Sequence, residues 1–151
     1  MKKILLLLIL FFLISCDRKE IELEKLGNGY FLKYTESYYI MICNNAYFAG
    51  PDTYSIIIKS HIMEYAFDST YIFISQKPFD SLELEKREYL DYNESKKYFK
   101  NIKFKQYWII EKISEKRYGP FNYEQYVNKK LELGIKDSLK FISTDEISKS
   151  Y

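Results

Sequence analysis

Nucleophilic and acid–base chemistry in this chain would depend on very few residues. The 151 residues include one histidine, His61, and two cysteines, Cys16 and Cys43. A serine or cysteine triad uses a histidine as its general base, so any triad here would require His61. The G-x-S-x-G sequence of a nucleophile elbow is absent. His61 lies in the strand-like run IKSHIMEY, where we expect a hydrogen-bonded structural histidine and not a base.

Metal and cofactor patterns are also missing from the sequence. A zinc site needs three or four Cys, His or carboxylate ligands, and these residues do not cluster. GNG at residues 27–29 lacks the rest of a dinucleotide-binding loop, and no Walker sequence occurs. Nothing in their charged surroundings indicates a raised pKa for the paired carboxylates, Glu83 with Glu85 and Asp145 with Glu146. We therefore predict no metal, no cofactor and no enzyme activity.

The first cysteine has a distinctive N-terminal context. Lys2 and Lys3 precede eleven apolar residues, 4–14, which are followed by Ser15 and Cys16. A membrane-spanning helix needs roughly 20 apolar residues, whereas an apolar run of about 7–15 before small residues is typical of a signal peptide. Residues 1–15 are thus predicted to be a signal peptide that is cleaved between Ser15 and Cys16.

Leu13, Ile14, Ser15 and Cys16 resemble the lipobox of bacterial lipoproteins, in which a leucine and a small residue precede a lipidated cysteine. The resemblance implies that Cys16 begins the mature chain and carries diacylglycerol on its sulfur. Two acyl chains, at about 0.8 kcal/mol per buried methylene, hold a protein stably on a membrane. The alternative is an ordinary signal peptide with a coincidental cysteine. A lipid-anchored protein on the periplasmic or outer surface of a cell envelope is expected.

The mature chain lacks the charge that nucleic-acid binding requires. Without Lys2 and Lys3, the basic residues are equal in number to the 21 acidic ones. No basic field remains to attract a polyanion, so nucleic acid is excluded as a partner. Acylation of Cys16 also rules out an intramolecular disulfide, and Cys43, in YYIMIC, is expected to be a buried and unreactive thiol.

Apolar and β-branched runs predict antiparallel strands through most of the chain. Three hairpins are expected, from YFLKY with YYIMIC, from the runs on either side of residues 67–69, and from YWII with the run that ends at Gly119 and Pro120. Trp108 lies in a strand that is apolar on both faces and is expected in the core. Asp68 is expected to bond its own turn. The run at residues 138–143 allows an added edge strand.

The signals for a helix after Pro120 are consistent with one another. Asn122 and Gln125 have the spacing of a capping box, and Phe121 is placed to pack on Tyr126. Gly134 is expected to end the helix in a left-handed conformation. The face predicted to pack on the sheet contains Tyr123, Tyr126, Val127 and Leu131. Asp80 and Glu83 allow a second, inserted helix over residues 81–93.

These elements predict the α+β class, a twisted antiparallel sheet of three hairpins with a C-terminal packed helix and room for one inserted helix. Residues 1–15 are assigned to the signal peptide and residues 16–26 to a polar tether. Residues 27–144 are predicted to be a single domain that folds without the tether, and residues 145–151 to be a frayed tail.

Three segments, GNGYFL, HIMEYAFDSTYIF and YWIIEKISEKRYGPFNYEQYVNKKLELGI, resemble an uncharacterised family of small bacterial lipoproteins. The resemblance spans residues from about 30 to 135. It implies a secreted, lipid-anchored domain without an assigned activity, and it supplies no catalytic residues.

Two functional hypotheses follow from these observations. The first is a binding or scaffolding module that meets another envelope protein or a glycan through its sheet face or aromatic rim. The second is an envelope immunity protein that inhibits a toxin or hydrolase. The 16 tyrosines and 11 phenylalanines suit a binding surface, but a genome rich in A and T would enrich the same residues. A neighbouring toxin gene would favour the inhibitor.

Overall fold

Two antiparallel sheets pack face to face in the computed structural model, which describes residues 21–34, 40–45, 54–59, 61–77, 103–136 and 139–147. The first sheet has the order β1-β2-β3-β4, with strands Ile21–Gly27, Tyr30–Tyr34, Ile40–Asn45 and Tyr54–Ile58. The second sheet has the order β8-β7-β6-β5-β9. Its strands are β5 Ile62–Phe67, β6 Tyr71–Gln76, β7 Gln106–Glu111, β8 Lys116–Phe121 and β9 Ile142–Ser143.

The main core lies between the two sheets. Successive side chains of a strand point to opposite faces, so alternate residues of one strand reach different layers. In β6, Ile72 and Ile74 pack against the first sheet, whereas Phe73 faces the other way. The first sheet contributes Leu32 and Ile42 to the same core. The fold is thus a two-sheet sandwich with a third layer on the outer face of the second sheet.

Helix α1, Tyr123–Glu132, forms that third layer. Its capping box is present as predicted, because the Gln125 N–H donates to Asn122 Oδ1 at 2.9 Å and the Asn122 N–H to Gln125 Oε1 at 3.0 Å. Its end is also as predicted, since Gly134 has a φ of +67° and lets the Ile135 N–H reach the carbonyl of Lys130 at 2.9 Å.

The buried face of α1 differs from the prediction. Tyr126 is buried and Val127 packs against the same cluster, as predicted, but Tyr123 is 65% exposed and Leu131 is 71% exposed. The helix contacts the sheet through the row Tyr126, Lys130 and Leu133, with the Lys130 ammonium 5.7 Å from the Phe73 ring centre. A lysine can lie on apolar surface through its long stem, which hydrophobic periodicity does not anticipate.

The prediction that residues 16–26 form a polar tether is wrong for the second half of this segment, because strand β1 begins at Ile21. Residues 21–26 belong to this strand, and Leu26 is fully buried in the core between the sheets. The pairing of β1 with β2 has register shifts between Glu22 and Glu24 and between Lys25 and Gly27. These bulges break the alternation of apolar and polar residues, so the segment does not look like a strand in the sequence.

The three predicted hairpins are confirmed as β2 with β3, β5 with β6, and β7 with β8. They do not form one sheet, because the chain passes from the first sheet to the second between Ile58 and Ile62. The predicted edge strand is β9, which pairs with β5. It is followed by helix α2, Thr144–Ile147, where a frayed tail was expected from residue 145.

The inserted helix predicted over residues 81–93 lies outside the described residues. Within the described ranges, no helix combines the length and the apolar character that a membrane span requires.

Candidate functional site

Three turns meet at one end of the sandwich around the ammonium group of Lys112, and we call this the Lys112 end. The turns join β1 to β2, β5 to β6 and β7 to β8. Lys112 is 4% exposed, and its Nζ donates to the backbone oxygens of Leu26 and Asp68. Its backbone N–H donates to the carbonyl of Thr70 at 2.9 Å. One side chain therefore connects the first sheet to two turns of the second.

The side chain of Asp68 and the backbone conformation of Gly27 shape the turns that surround the Lys112 ammonium. Asp68 Oδ1 accepts from the N–H groups of Thr70 and Tyr71, both at 2.7 Å, which confirms the predicted turn role of Asp68. Gly27 has a φ of +87°, and a Cβ at this position would lie 3.2 Å from Lys112 Nζ. The glycine therefore gives the backbone a left-handed conformation and leaves room for the ammonium.

The electrostatics of Lys112 indicate a structural group. Burial lowers the pKa of its ammonium, while the negative charge of Asp68 acts in the opposite direction. The ring centre of Phe67 lies 5.2 Å from Nζ, within the range of a cation–π contact. Because the ammonium is buried and bonded to main-chain oxygens, it joins the turns and does not face a solvent-exposed cleft.

A second polar network lies at the opposite end of the sandwich, which we call the His61 end. The Trp108 indole N–H donates to Gln76 Oε1 at 2.6 Å, and Gln76 Nε2 donates to the Lys59 carbonyl at 3.0 Å. Trp108 packs against the core but is only partly buried, unlike the prediction, because its N–H needs this polar partner. The Thr144 hydroxyl donates to the carbonyls of Ile62 and Met63 at 2.9 and 3.0 Å.

His61 precedes β5 at this end and carries a strongly perturbed imidazole. Burial, followed by the positive charge of Lys77, lowers its pKa to about 4, and Asp145 opposes the shift. The imidazole is therefore neutral at neutral pH. Among the residues that the structure describes, no group of three His, Cys, Asp or Glu side chains could hold a metal ion.

The partly buried imidazole makes folding sensitive to acid. The folded pKa of about 4 lies below the unfolded value of about 6.5. The stabilisation is complete above pH 6.5 and is lost as pH falls towards 4, by up to about 3 kcal/mol. Because His61 is the only histidine, its NMR titration can be followed directly.

We expect the His61 resonances to titrate near pH 4, and His61→Gln to flatten the dependence of the unfolding free energy on pH between 6.5 and 4. The carboxylates titrate in both proteins, so the difference between the two curves isolates the imidazole. A midpoint near 6.5 in the folded protein would contradict this prediction.

A third polar contact joins the sheets midway between the ends. The hydroxyl of the fully buried Tyr65, in β5, donates to Glu24 Oε2, in β1. Burial, followed by the bond to Glu24, raises the pKa of this phenol. The Tyr65 hydroxyl therefore keeps its proton and remains a donor to the Glu24 carboxylate. This side-chain hydrogen bond holds β1 to the second sheet in addition to the packing between them.

Among the residues that the structure describes at the His61 end, the most exposed aromatic rings are Phe104 and Tyr123, which are 57% and 65% exposed. Tyr107 lies beside Tyr123, with ring centres 5.5 Å apart, and stacks on Tyr126 at 5.1 Å. We refer to Phe104, Tyr107 and Tyr123, three rings at the same end of which Tyr107 and Tyr123 are in contact, as the aromatic patch. Its place at this end follows from the sheet register, since Gln106 pairs with Gln76 and Tyr107 with Phe121.

The residues singled out in the sequence are distributed over the fold and do not form one site. Cys43 is fully buried in β3, as predicted, and Asp145 is exposed in α2. Ser15 and Cys16, like Glu83 and Glu85, lie outside the described residues. Lys112 was not anticipated, because one lysine after an apolar strand has no sequence signal that separates it from a solvated one.

A family model described as "Protein of unknown function (DUF3997)" matches residues 27–147. The comparisons with curated proteins and with solved structures gave no significant match.

Proposed function

The chain belongs to the family of unknown function DUF3997, and on this premise we propose that it is a lipid-anchored binding module of the bacterial cell envelope. Cys16 provides the anchor in this proposal, and the sandwich provides the surface that meets another envelope protein or a glycan. The mature domain acts by binding and not by catalysis.

The observation that carries the proposal is the distance in sequence between the lipobox cysteine and the fold. Strand β1 begins at Ile21, five residues after Cys16. A segment of this length extends by at most about 18 Å. An acylated Cys16 would therefore hold the sandwich close to the bilayer.

Exposed apolar side chains support a binding role. Ile113 in the β7–β8 turn is 79% exposed, and Leu131 on α1 is exposed as well. Large apolar side chains on a surface recur at the centres of protein interfaces, where they are surrounded by polar residues.

The anchor is tested by metabolic labelling with a fatty-acid analogue. We expect the wild-type protein to be labelled and Cys16→Ala to lose the label completely, because the modified sulfur is absent. Cys43→Ala is the matched control, since it removes the other cysteine, which is buried in β3, and it should keep the label. Labelling that persists in Cys16→Ala would exclude a lipid anchor at this residue.

A further inference from the structure

We propose that the aromatic patch at the His61 end contacts the phospholipid headgroup layer, so that the domain stands on the membrane with its Lys112 end outermost. This inference rests on the proposed anchor at Cys16, and it adds a membrane-contact surface and a fixed orientation. A lipid anchor alone would allow the domain to tumble.

The direction of β1 determines which end is near the anchor. Ile21 begins this strand and pairs with Tyr34, whereas Gly27 ends it beside Lys112. Strand β5 runs alongside, with Glu24 bonded to Tyr65 midway, so Ile62 lies at the same end as Ile21. The His61 end is therefore the one that the short connection to Cys16 can hold against the bilayer.

The aromatic patch has the chemistry of a membrane–water interface. Two of its rings, Phe104 and Tyr123, are more than half exposed, although Phe is among the residues most often buried in folded domains. Tyr rings are favoured at the headgroup level, where the ring meets acyl chains and the hydroxyl meets polar groups. A Phe ring adds apolar area that can be buried at the boundary between headgroups and acyl chains.

Lysines flank the exposed phenylalanine on both sides. Lys103 is exposed, and Lys105 is partly exposed while its Nζ lies 3.1 Å from Glu64 Oε2. Lysine stems can lie along the apolar layer while their ammonium groups reach phosphate oxygens. Exposed acids occur at the same end, so the contact depends on the rings more than on net charge; these acids are Glu22, Glu124 and Asp145.

The orientation places two exposed apolar side chains, Phe104 and Ile113, at different distances from the membrane. Strand β7 has six residues between the two ends, which corresponds to about 20 Å at about 3.3 Å per residue. Phe104 would lie at the headgroups, and Ile113 in the β7–β8 turn would project into the envelope space. Ile113 would thus be available to a partner.

The test uses the full lipidated protein in vesicles of phosphatidylethanolamine and phosphatidylglycerol that contain a lipid with a nitroxide on its headgroup. An aromatic nitrobenzoxadiazole probe is attached at Phe104→Cys or, in the control, at Ile113→Cys. The thiol of Cys16 is acylated in this preparation and Cys43 is fully buried, so the unsubstituted protein should take up no dye. We expect the nitroxide to quench the probe at residue 104 several times more strongly than the probe at residue 113.

A second arm tests the patch itself. In the protein with the probe at residue 104, Tyr123→Ser should reduce quenching at least twofold, whereas Leu131→Ser should leave it unchanged. Both side chains are exposed on α1, so neither substitution threatens folding. Equal quenching at residues 104 and 113, or an equal effect of the two substitutions, would overturn the proposed contact. If Cys16 carries lipid in a sample that gives either of these results, the proposed anchor at Cys16 is kept and only the proposed orientation of the domain is rejected.

Discussion

Removal of residues 17–26 is expected to abolish cooperative folding. A chain that starts at Gly27 loses most of β1, including Leu26 in the core and the carboxylate of Glu24 that accepts from Tyr65. It also loses the carbonyl that anchors Lys112. Losing a buried leucine costs about 2–5 kcal/mol, and each buried group without its partner costs about 1–3 kcal/mol. Together these losses are comparable to the whole stability of a small domain, about 5–15 kcal/mol.

Circular dichroism during thermal and urea unfolding measures this effect. A chain that starts at Asp17 should melt cooperatively, while the chain that starts at Gly27 should show no sigmoidal transition. Within the chain that starts at Asp17, Leu26→Ala should lower the unfolding free energy by about 2–5 kcal/mol. Lys25→Ala, at the exposed neighbouring position of the same strand, should change it by less than about 0.5 kcal/mol. Cooperative folding of the chain that starts at Gly27 would contradict this prediction and would show that the domain folds without most of β1.

Replacing Lys112 by methionine is expected to lower the unfolding free energy by about 2–4 kcal/mol. Methionine fills much of the same volume, but the backbone oxygens of Leu26 and Asp68 lose their charged donor. Buried carbonyls that lose a donor cost about 1–3 kcal/mol each. The gain from no longer burying a charge offsets part of this cost.

Lys116→Met is the matched control for Lys112, because Lys116 is exposed four residues further along the same hairpin. It should shift the urea midpoint only within about 0.5 kcal/mol of the unsubstituted protein. Hydrogen exchange should also rise in the three turns of the Lys112 end in Lys112→Met and stay unchanged in Lys116→Met. Identical stabilities for the two variants would show that the bonds from Lys112 do not hold the turns together.

Local sequence was sufficient where the interactions that decide a structure are themselves local. The capping box of Asn122 and Gln125 and the left-handed Gly134 require only residues within one or two helical turns, and both form as predicted. The turn at Asp68 is bonded by its own carboxylate within three residues. Hairpins follow the same logic, since two neighbouring apolar runs and a short turn specify their pairing.

Tertiary structure decided what depends on distant partners. Leu26 is a core residue only because the second sheet packs over β1. The bulges in β1 interrupt the alternation of apolar and polar residues by which a strand is recognised in a sequence. Tyr126 and the stem of Lys130 pack on the second sheet, whereas Tyr123 and Leu131 stay mostly exposed, because the position of α1 on that sheet decides which of its residues are covered.

The sequence by itself determined the hairpins, the capped helix and the expectation of an anchor at Cys16, because each depends on residues that are close along the chain. Only the tertiary structure decided that Lys112 is buried, that the imidazole of His61 has a low pKa, and that Phe104 and Tyr123 are exposed at one end. Burial, desolvation and the placement of exposed rings at one end arise from the packing of segments far apart in sequence. Such properties have no local signal.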